Sequence, residues 1–148
     1  MRRLGPWLGV DLGQVRIGLA MSDPDLILAW PSDTIQRAGR GIGAVAEEIH
    51  RLAEESGASR VVIGLALNMN GTEGPNAAEA RRLADALEAL GSKTLLQDER
   101  RSSVQAEAQL RQAGRSARRQ RAVVDQAAAV VILQAALDAA RDGFSATG

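Results

Sequence analysis

The sequence predicts an α/β domain: a mixed five-stranded sheet, its first three strands antiparallel, flanked by helices on both faces. Three observations predict it. Apolar residues alternate with others from Trp7 to Asp23, around Gly13, the pattern of strands with one covered face. A continuous apolar run, "RVVIGLAL" at 60–67, marks a strand covered on both sides. Segments of helical period then alternate with strands, giving the order βββ-α-β-α-β-α-α, which right-handed crossovers close into one sheet.

Each element has its own signal. "WLGVDLGQVRIGLAMSD" reads as strand, tight turn at Gly13 and strand, spanning about 5–12 and 15–22. A third strand at 26–35 contains Pro31, which cannot donate to a ladder, so this strand is expected at an edge or to be irregular. "GAVAEEIHRLAEESG" is an amphipathic helix that stops at Gly57. After 60–67 and the polar loop "NMNGTEGP", Asn76 with Glu79 three residues on reads as an N-cap opening the helix "NAAEARRLADALEALG". "KTLLQ" is a short strand ending in "DER". A helix is expected from Ser102 or Ser103 to about Gly114, then an arginine-rich connection, then the long helix "RAVVDQAAAVVILQAALDAAR". Residues 1–142 are expected to form a single domain, and 143–148 a frayed tail.

Composition narrows the chemistry. The 148 residues contain no cysteine and one histidine, His50, so disulfides and thiolate or His-rich metal centres are excluded. His50 itself reads as a partly exposed helical residue without function. Any metal must be held by oxygen, which favours magnesium or manganese. Aromatics are only 2%, too few for base stacking to be the main binding device. No apolar run approaches the roughly 18 residues of a membrane span, and a cytoplasmic protein with no membrane partner is expected. Net charge is zero, yet Arg100 to Arg121 holds seven arginines against one acid, Glu107. That segment is +6 and the remainder −6.

Asp11 is the residue that does not fit a buried strand. An unpaired carboxylate in a sheet costs several kcal/mol or is driven neutral. The topology makes the first strand central with Asp11 at its carboxyl end, where open α/β sheets bind ligands. Asp98 and Glu99 end the last strand and reach the same edge. Asp125 falls on the apolar stripe of the long helix with Ala128, Ala129, Ile132 and Ala136. Three converging carboxylates repel one another, and one or two Mg²⁺ or Mn²⁺ ions would relieve that repulsion and create a centre for phosphoryl displacement. Plainer readings stand beside this one. Asp11 can satisfy amides in its turn, Asp125 can cap a helix that starts later, and Asp98 and Glu99 can be surface residues. Spacing does not say which of Asp98 and Glu99 faces inward. The arginine segment is either a solvated face or a phosphate-binding surface.

The stretches "GVDLGQVRIGLA", "VVIGLALNMNGTEG", "QDERRSSVQAE" and "VVDQAAAVVILQ" together resemble the ribonuclease-H-like YqgF/RuvX family, over about residues 6–139. This family is described as pre-16S ribosomal RNA nucleases and as Holliday junction resolvase-like proteins. The resemblance implies a ribonuclease-H-like fold and an acidic, metal-holding triad of Asp11, Glu99 and Asp125, with Glu99 rather than Asp98. Asn68, Asn70 and Thr72 are candidate polar contacts at the catalytic edge. Arg16, Arg100, Arg101, Arg115, Arg118, Arg119 and Arg121 are candidate phosphate contacts. Departures are Gln14 for the family's frequent threonine, Ala66 for proline, and Arg101 and Ser103 after "DER". None is a proposed metal ligand.

The expected function is a metal-dependent endonuclease maturing the 5′ end of precursor 16S ribosomal RNA; the alternative substrate is branched DNA. Symmetric cleavage of a junction would favour a two-fold dimer, whereas linear RNA leaves monomer or homodimer open. Two other classes compete. An actin-like ATPase or sugar kinase also opens on a "DLG" hairpin, but closes two such domains over its nucleotide. A non-catalytic nucleic-acid or ribosome-assembly module would explain the arginines while leaving Asp11 and Asp125 without partners.

Overall fold

The alternating stretch from Trp7 to Asp23 forms β1 (Trp7–Leu12) and β2 (Arg16–Ser22), which β3 (Ala29–Gln36) extends into an antiparallel meander. The computed structural model describes residues 5–67, 70–99 and 117–147, and the side chains of all these except 117–125 and 143–147. β4 (Arg60–Ala66) and β5 (Thr94–Glu99) add in parallel on the other side of β1, giving the order β3-β2-β1-β4-β5. The first strand is therefore central, as its hydrophobic pattern requires. β3 is an edge, and its register with β2 shifts between Leu19 and Ala20, opposite Pro31 to Asp33. Proline's missing donor is tolerated at that irregularity.

α1 (Ile42–Ser56) and α2 (Pro75–Leu90) cover one face. Their core is Leu8, Val10, Ile17, Leu19, Val61 and Ile63 from the sheet, met by Val45, Ile49, Leu83 and Leu87. Both helices end on a left-handed glycine, Gly57 (φ 73°) and Gly91 (φ 105°), whose amides satisfy the last carbonyls. The long helix α3 (Ala117–Thr147) covers the other face through Ala129, Ile132, Leu133, Ala136 and Leu137. The stripe positions Ala128, Ala129, Ile132 and Ala136 are all buried. No helix among the described residues is long and apolar enough to cross a membrane.

Several boundaries differ from expectation. α2 begins at Pro75 with Gly74 as N-cap, and neither Asn76 nor any other side chain caps it. Proline at the first helical position supplies the start that a polar cap would have. β5 continues through Asp98 and Glu99, because both pair with β4. α3 already contains Arg118, Arg119 and Arg121, which therefore belong to a helix and not to a connection before it. Helix also extends through 143–147, where fraying is expected from sequence. The predicted helix from Ser102 or Ser103 to Gly114 lies outside the described residues.

α3 reaches the sheet because two facing positions lack a side chain. A Cβ at Gly9 would lie 2.7 Å from Leu133 Cβ and 3.0 Å from the Ala129 carbonyl oxygen. At Gly64 it would lie 2.5 Å from Ile132 Cδ1. The first clash is with atoms that cannot move without the helix, the second with a side-chain tip. Gly9→Ala is expected to cost about 2–3 kcal/mol and Gly64→Ala less, on the scale of core overpacking. Urea unfolding measures both, and Ile132→Val should reduce the Gly64→Ala loss. Equal losses, with no relief from Ile132→Val, would show that the helix adjusts as a whole.

Candidate active site at the carboxyl edge of the sheet

Strand parity assigns the acids to faces. Leu8 and Val10 pack under α1 and α2, so Gly9 and Asp11 face α3. On β5, Leu95 belongs to the α3 side and Leu96 to the other, so Glu99 faces α3 and Asp98 faces α2. Two observations agree. Glu99 Oε2 lies 3.4 Å from where a Gly64 Cβ would be, on the side occupied by Ile132. Asp98 is exposed and acts electrostatically on Arg81 of α2.

Asp11 is flanked across the sheet by two glycines. It pairs with Gly18 on β2, and the step after Val10↔Ile63 sets it level with Gly64 on β4. Neither neighbour carries a side chain. Glu99 lies further along, beside Ala66, and its carboxylate folds back over Gly64 toward Asp11's row. Both acids are half-buried and each engages in a polar interaction of its own. The structure thus brings Asp11 and Glu99 to one edge and sends Asp98 to the opposite face.

Residue 125 lies inside α3, more than two turns from its first residue, and so does not occupy an N-cap. Its side chain is outside the described set, as are those of Arg118, Arg119 and Arg121; Asn68, Arg100, Arg101 and Arg115 lie outside it entirely. Among the described residues no three His, Cys, Asp or Glu side chains gather closely enough to hold a metal. The donors that do share the edge are carboxylate oxygens above two glycines. That donor set fits a hard divalent cation such as Mg²⁺ or Mn²⁺.

Neighbouring groups surround the same edge. Arg16 starts β2 on the α3 face and is half-buried with a partner of its own. Beyond β4, Asn70 Oδ1 accepts hydrogen bonds from the Thr72 amide (3.0 Å) and hydroxyl (2.6 Å), a local turn on an exposed loop. A Leu67↔Glu73 bridge and an Arg81–Glu73 ion pair close that loop. His50 sits far from these acids: its Nδ1 is 2.6 Å from Ser92 Oγ and its Nε2 is 2.8 Å from Glu54.

A buried ion pair that sequence reasoning missed holds the Asp11 hairpin. Arg37, just past β3, donates to both oxygens of Glu79 at 2.9 and 3.0 Å, and to the Gly13 carbonyl at 3.1 Å. Gln14 also donates to Glu79, at 3.3 Å. Glu79 is thus the anchor of the β1–β2 turn and not part of a capping box. Its only sequence signal was an acid that α2's start did not need. Gly13 must stay glycine, since a Cβ there would lie 2.2 Å from the Arg16 carbonyl oxygen.

The strand order, the helices on both faces and the acidic carboxyl edge define a ribonuclease-H-like fold of the RuvC type. A solved structure, "T. thermophilus RuvC in complex with Holliday junction substrate", matches with a TM-score of 0.56 at 14% identity, covering 93% of this chain and 96% of that one. A second Thermus thermophilus RuvC structure gives 0.53 at 12% identity, over the same shares of each chain. The chain belongs to the RuvX family, described as Holliday junction resolvase, whose model matches residues 5–139. A relative from Anaeromyxobacter dehalogenans (strain 2CP-C) is 52% identical over 134 residues, 88% of this chain and 95% of that protein. One from Nocardioides sp. (strain ATCC BAA-499 / JS614) is 46% identical over 150 residues, 99% and 96% of the two chains. One from Bifidobacterium longum subsp. infantis is 42% identical, covering 92% of this chain and 99% of its own. All three carry the name "Putative pre-16S rRNA nuclease". The family and these names place the chain among nucleases, hydrolases of phosphodiester bonds.

The Arg37–Glu79 pair also sets how the hairpin responds to acid. Hydrogen bonds from Arg37 hold the Glu79 carboxyl below its ordinary value, outweighing burial, which acts the other way. A depressed folded pKa contributes stability that is full above the ordinary glutamate value of 4.5 and is lost as pH falls through the folded value. Glu79→Gln should therefore flatten the acid limb of stability below about pH 4.5, and cost about 3 kcal/mol at neutral pH by leaving a buried guanidinium unpaired. Urea midpoints measured from pH 3 to 7 check both; an unchanged acid limb would exclude this pair as its source.

Proposed function

We propose that this chain is a metal-dependent endonuclease that hydrolyses a phosphodiester bond in 5′-end maturation of precursor 16S ribosomal RNA. Asp11, Glu99 and Asp125 are its acidic triad. One observation carries the reading: Asp11 on the central strand and Glu99 on β5 share the α3 face at the carboxyl edge, with the Glu99 carboxylate folded back over Gly64 of the strand between them. The names carried by relatives up to 52% identical supply the RNA substrate.

Asp11 and Glu99 supply oxygen ligands from rigid strands, and Asp125 supplies a third from the helix laid across them. One or two Mg²⁺ or Mn²⁺ ions held by these carboxylates would supply charge neutralisation at the reacting phosphate and a more acidic water as nucleophile. Arg16 and the basic run Arg100, Arg101, Arg115, Arg118, Arg119 and Arg121 bind flanking phosphates, a contribution that positions the strand without reading its sequence. Asn68, Asn70 and Thr72 contact the substrate from the loop after β4. The reaction takes place in the cytoplasm, on a monomer or a homodimer.

Branched DNA is the second reading. The family's description and the junction-bound RuvC of like fold favour it. Purified protein with Mn²⁺, tested side by side on a precursor 16S RNA fragment and a four-way DNA junction, separates the two. Preferential cleavage of the RNA near the mature 5′ end is expected, and junction-only cleavage would reverse the assignment.

The site prediction is graded. Asp11→Asn and Glu99→Gln should each lower single-turnover cleavage by orders of magnitude and weaken the thermal stabilisation that Mn²⁺ gives the native protein. Asp98→Asn, on the opposite face, should lose no more than about tenfold, the scale of indirect support. Wild-type cleavage by Asp11→Asn, or a larger loss from Asp98→Asn than from Glu99→Gln, would overturn the triad.

A further inference from the structure

We propose that Gln126 and Thr34 are positioning residues for the reaction, joined by a hydrogen bond that sets α3 so that residue 125 comes level with Asp11. The inference rests on the nuclease reading above and adds to it two residues outside the acidic edge. Gln126 Nε2 donates to Thr34 Oγ1 at 2.9 Å, in a partly buried contact. Thr34 lies on β3, opposite Gly18, and Gly18 lies opposite Asp11. The acceptor therefore stands in Asp11's own cross-strand row, and its donor is the residue after Asp125.

The path along the helix agrees. Gly9 meets the Ala129 carbonyl. From Gly9 to Asp11 the strand advances about 6.7 Å. From Ala129 back to residue 125 the antiparallel helix advances about 6 Å. The two chains reach the carboxyl edge together.

Rotation and sliding of α3 must still be fixed. Its contacts with Gly9 and Gly64 include no hydrogen bond and are made largely by the Leu133 and Ile132 side chains, so they hold the helix close without choosing its turn. Directional bonds do that. At the far end Gln134 accepts from the Ala29 amide and donates to the Ile27 carbonyl, both at 2.9 Å. Near the acids Gln126 ties α3 to β3 by such a bond. A small error in the setting of the helix is costly at a site that must hold several oxygen ligands at once.

The test uses the full chain, a precursor 16S RNA fragment and Mn²⁺. Thr34→Val and Gln126→Leu each remove the bond at similar volume, and Thr34→Ser retains a hydroxyl. Both removals are expected to slow single-turnover cleavage about tenfold, the scale of lost support for a ligand. The Mn²⁺ concentration at half-maximal thermal stabilisation should rise several-fold, while RNA affinity measured without metal stays within twofold. Thr34→Ser should restore rate and metal midpoint, which also rescues the inference should Gln126→Leu fail to fold. If the removals lower melting temperature yet leave cleavage and metal midpoint at wild-type values, the bond is structural and the proposal falls. If the wild-type protein itself neither cleaves nor responds to Mn²⁺, the nuclease reading falls first, and this one with it.

Discussion

The structure depends on how closely α3 can approach the sheet. Gly9 and Gly64 leave the central strands bare where Leu133 and Ile132 press on them, and the Ala129 backbone lies 3.0 Å from the position of the missing Gly9 Cβ. An ordinary pair of side chains there would lift the helix by ångströms. The core on that face would open, and residue 125 would move away from the row of Asp11. A requirement of packing is thus also a requirement of the site. The glycine that admits Ile132, Gly64, is also the one over which the Glu99 carboxylate lies.

The opposite layer serves the site in a different way. α1 and α2 bury the larger part of the core against β1 and β4, but their specific contribution is Glu79, which holds Arg37 and through it the Gly13 carbonyl. The central hairpin is therefore fastened from both sides, by an ion pair below and by apolar contact with a helix above. Charged groups in this partly buried place are tolerated because the guanidinium fork satisfies both carboxylate oxygens. On the α3 face, Asp11 beside this turn and Glu99 on β5 are held by strands that have little freedom to shift.

Fold and chemistry carry different weight in the functional reading. Likeness to RuvC at 14% identity speaks to architecture, which hosts more than one activity. Relatives at 42–52% identity over most of the chain speak to family. What singles out an edge of this molecule is the placing of two carboxylates over two glycines. Opposite that edge, His50 ties α1 to the turn before β5 through Ser92, a structural role in keeping with its distance from the acids.

Much of this was legible in the sequence. Alternation and helical period are local consequences of one-sided burial, so the five strands, the helices α1, α2 and α3, the edge or irregular character of the proline-bearing strand and the central place of the first strand were all legible in the sequence. Asp11 declared itself because a carboxylate in an apolar strand demands an explanation. The choice between Asp98 and Glu99 could not be read from spacing, since adjacent residues point to opposite faces and only the covering helices say which face holds the site. Resemblance to the family pointed to Glu99, and the packing of Leu95 and Leu96 places it on Asp11's side. Other features needed the tertiary structure outright. Glu79 sits three residues after a plausible cap, yet its partner is Arg37, forty-two residues away in sequence. The start of α3 within the arginine-rich run, and the glycines on which the helix rests, likewise depend on what lies across from them. Local sequence determines which residues prefer to be buried and in what period; which buried or charged group meets which is decided only when distant segments pack.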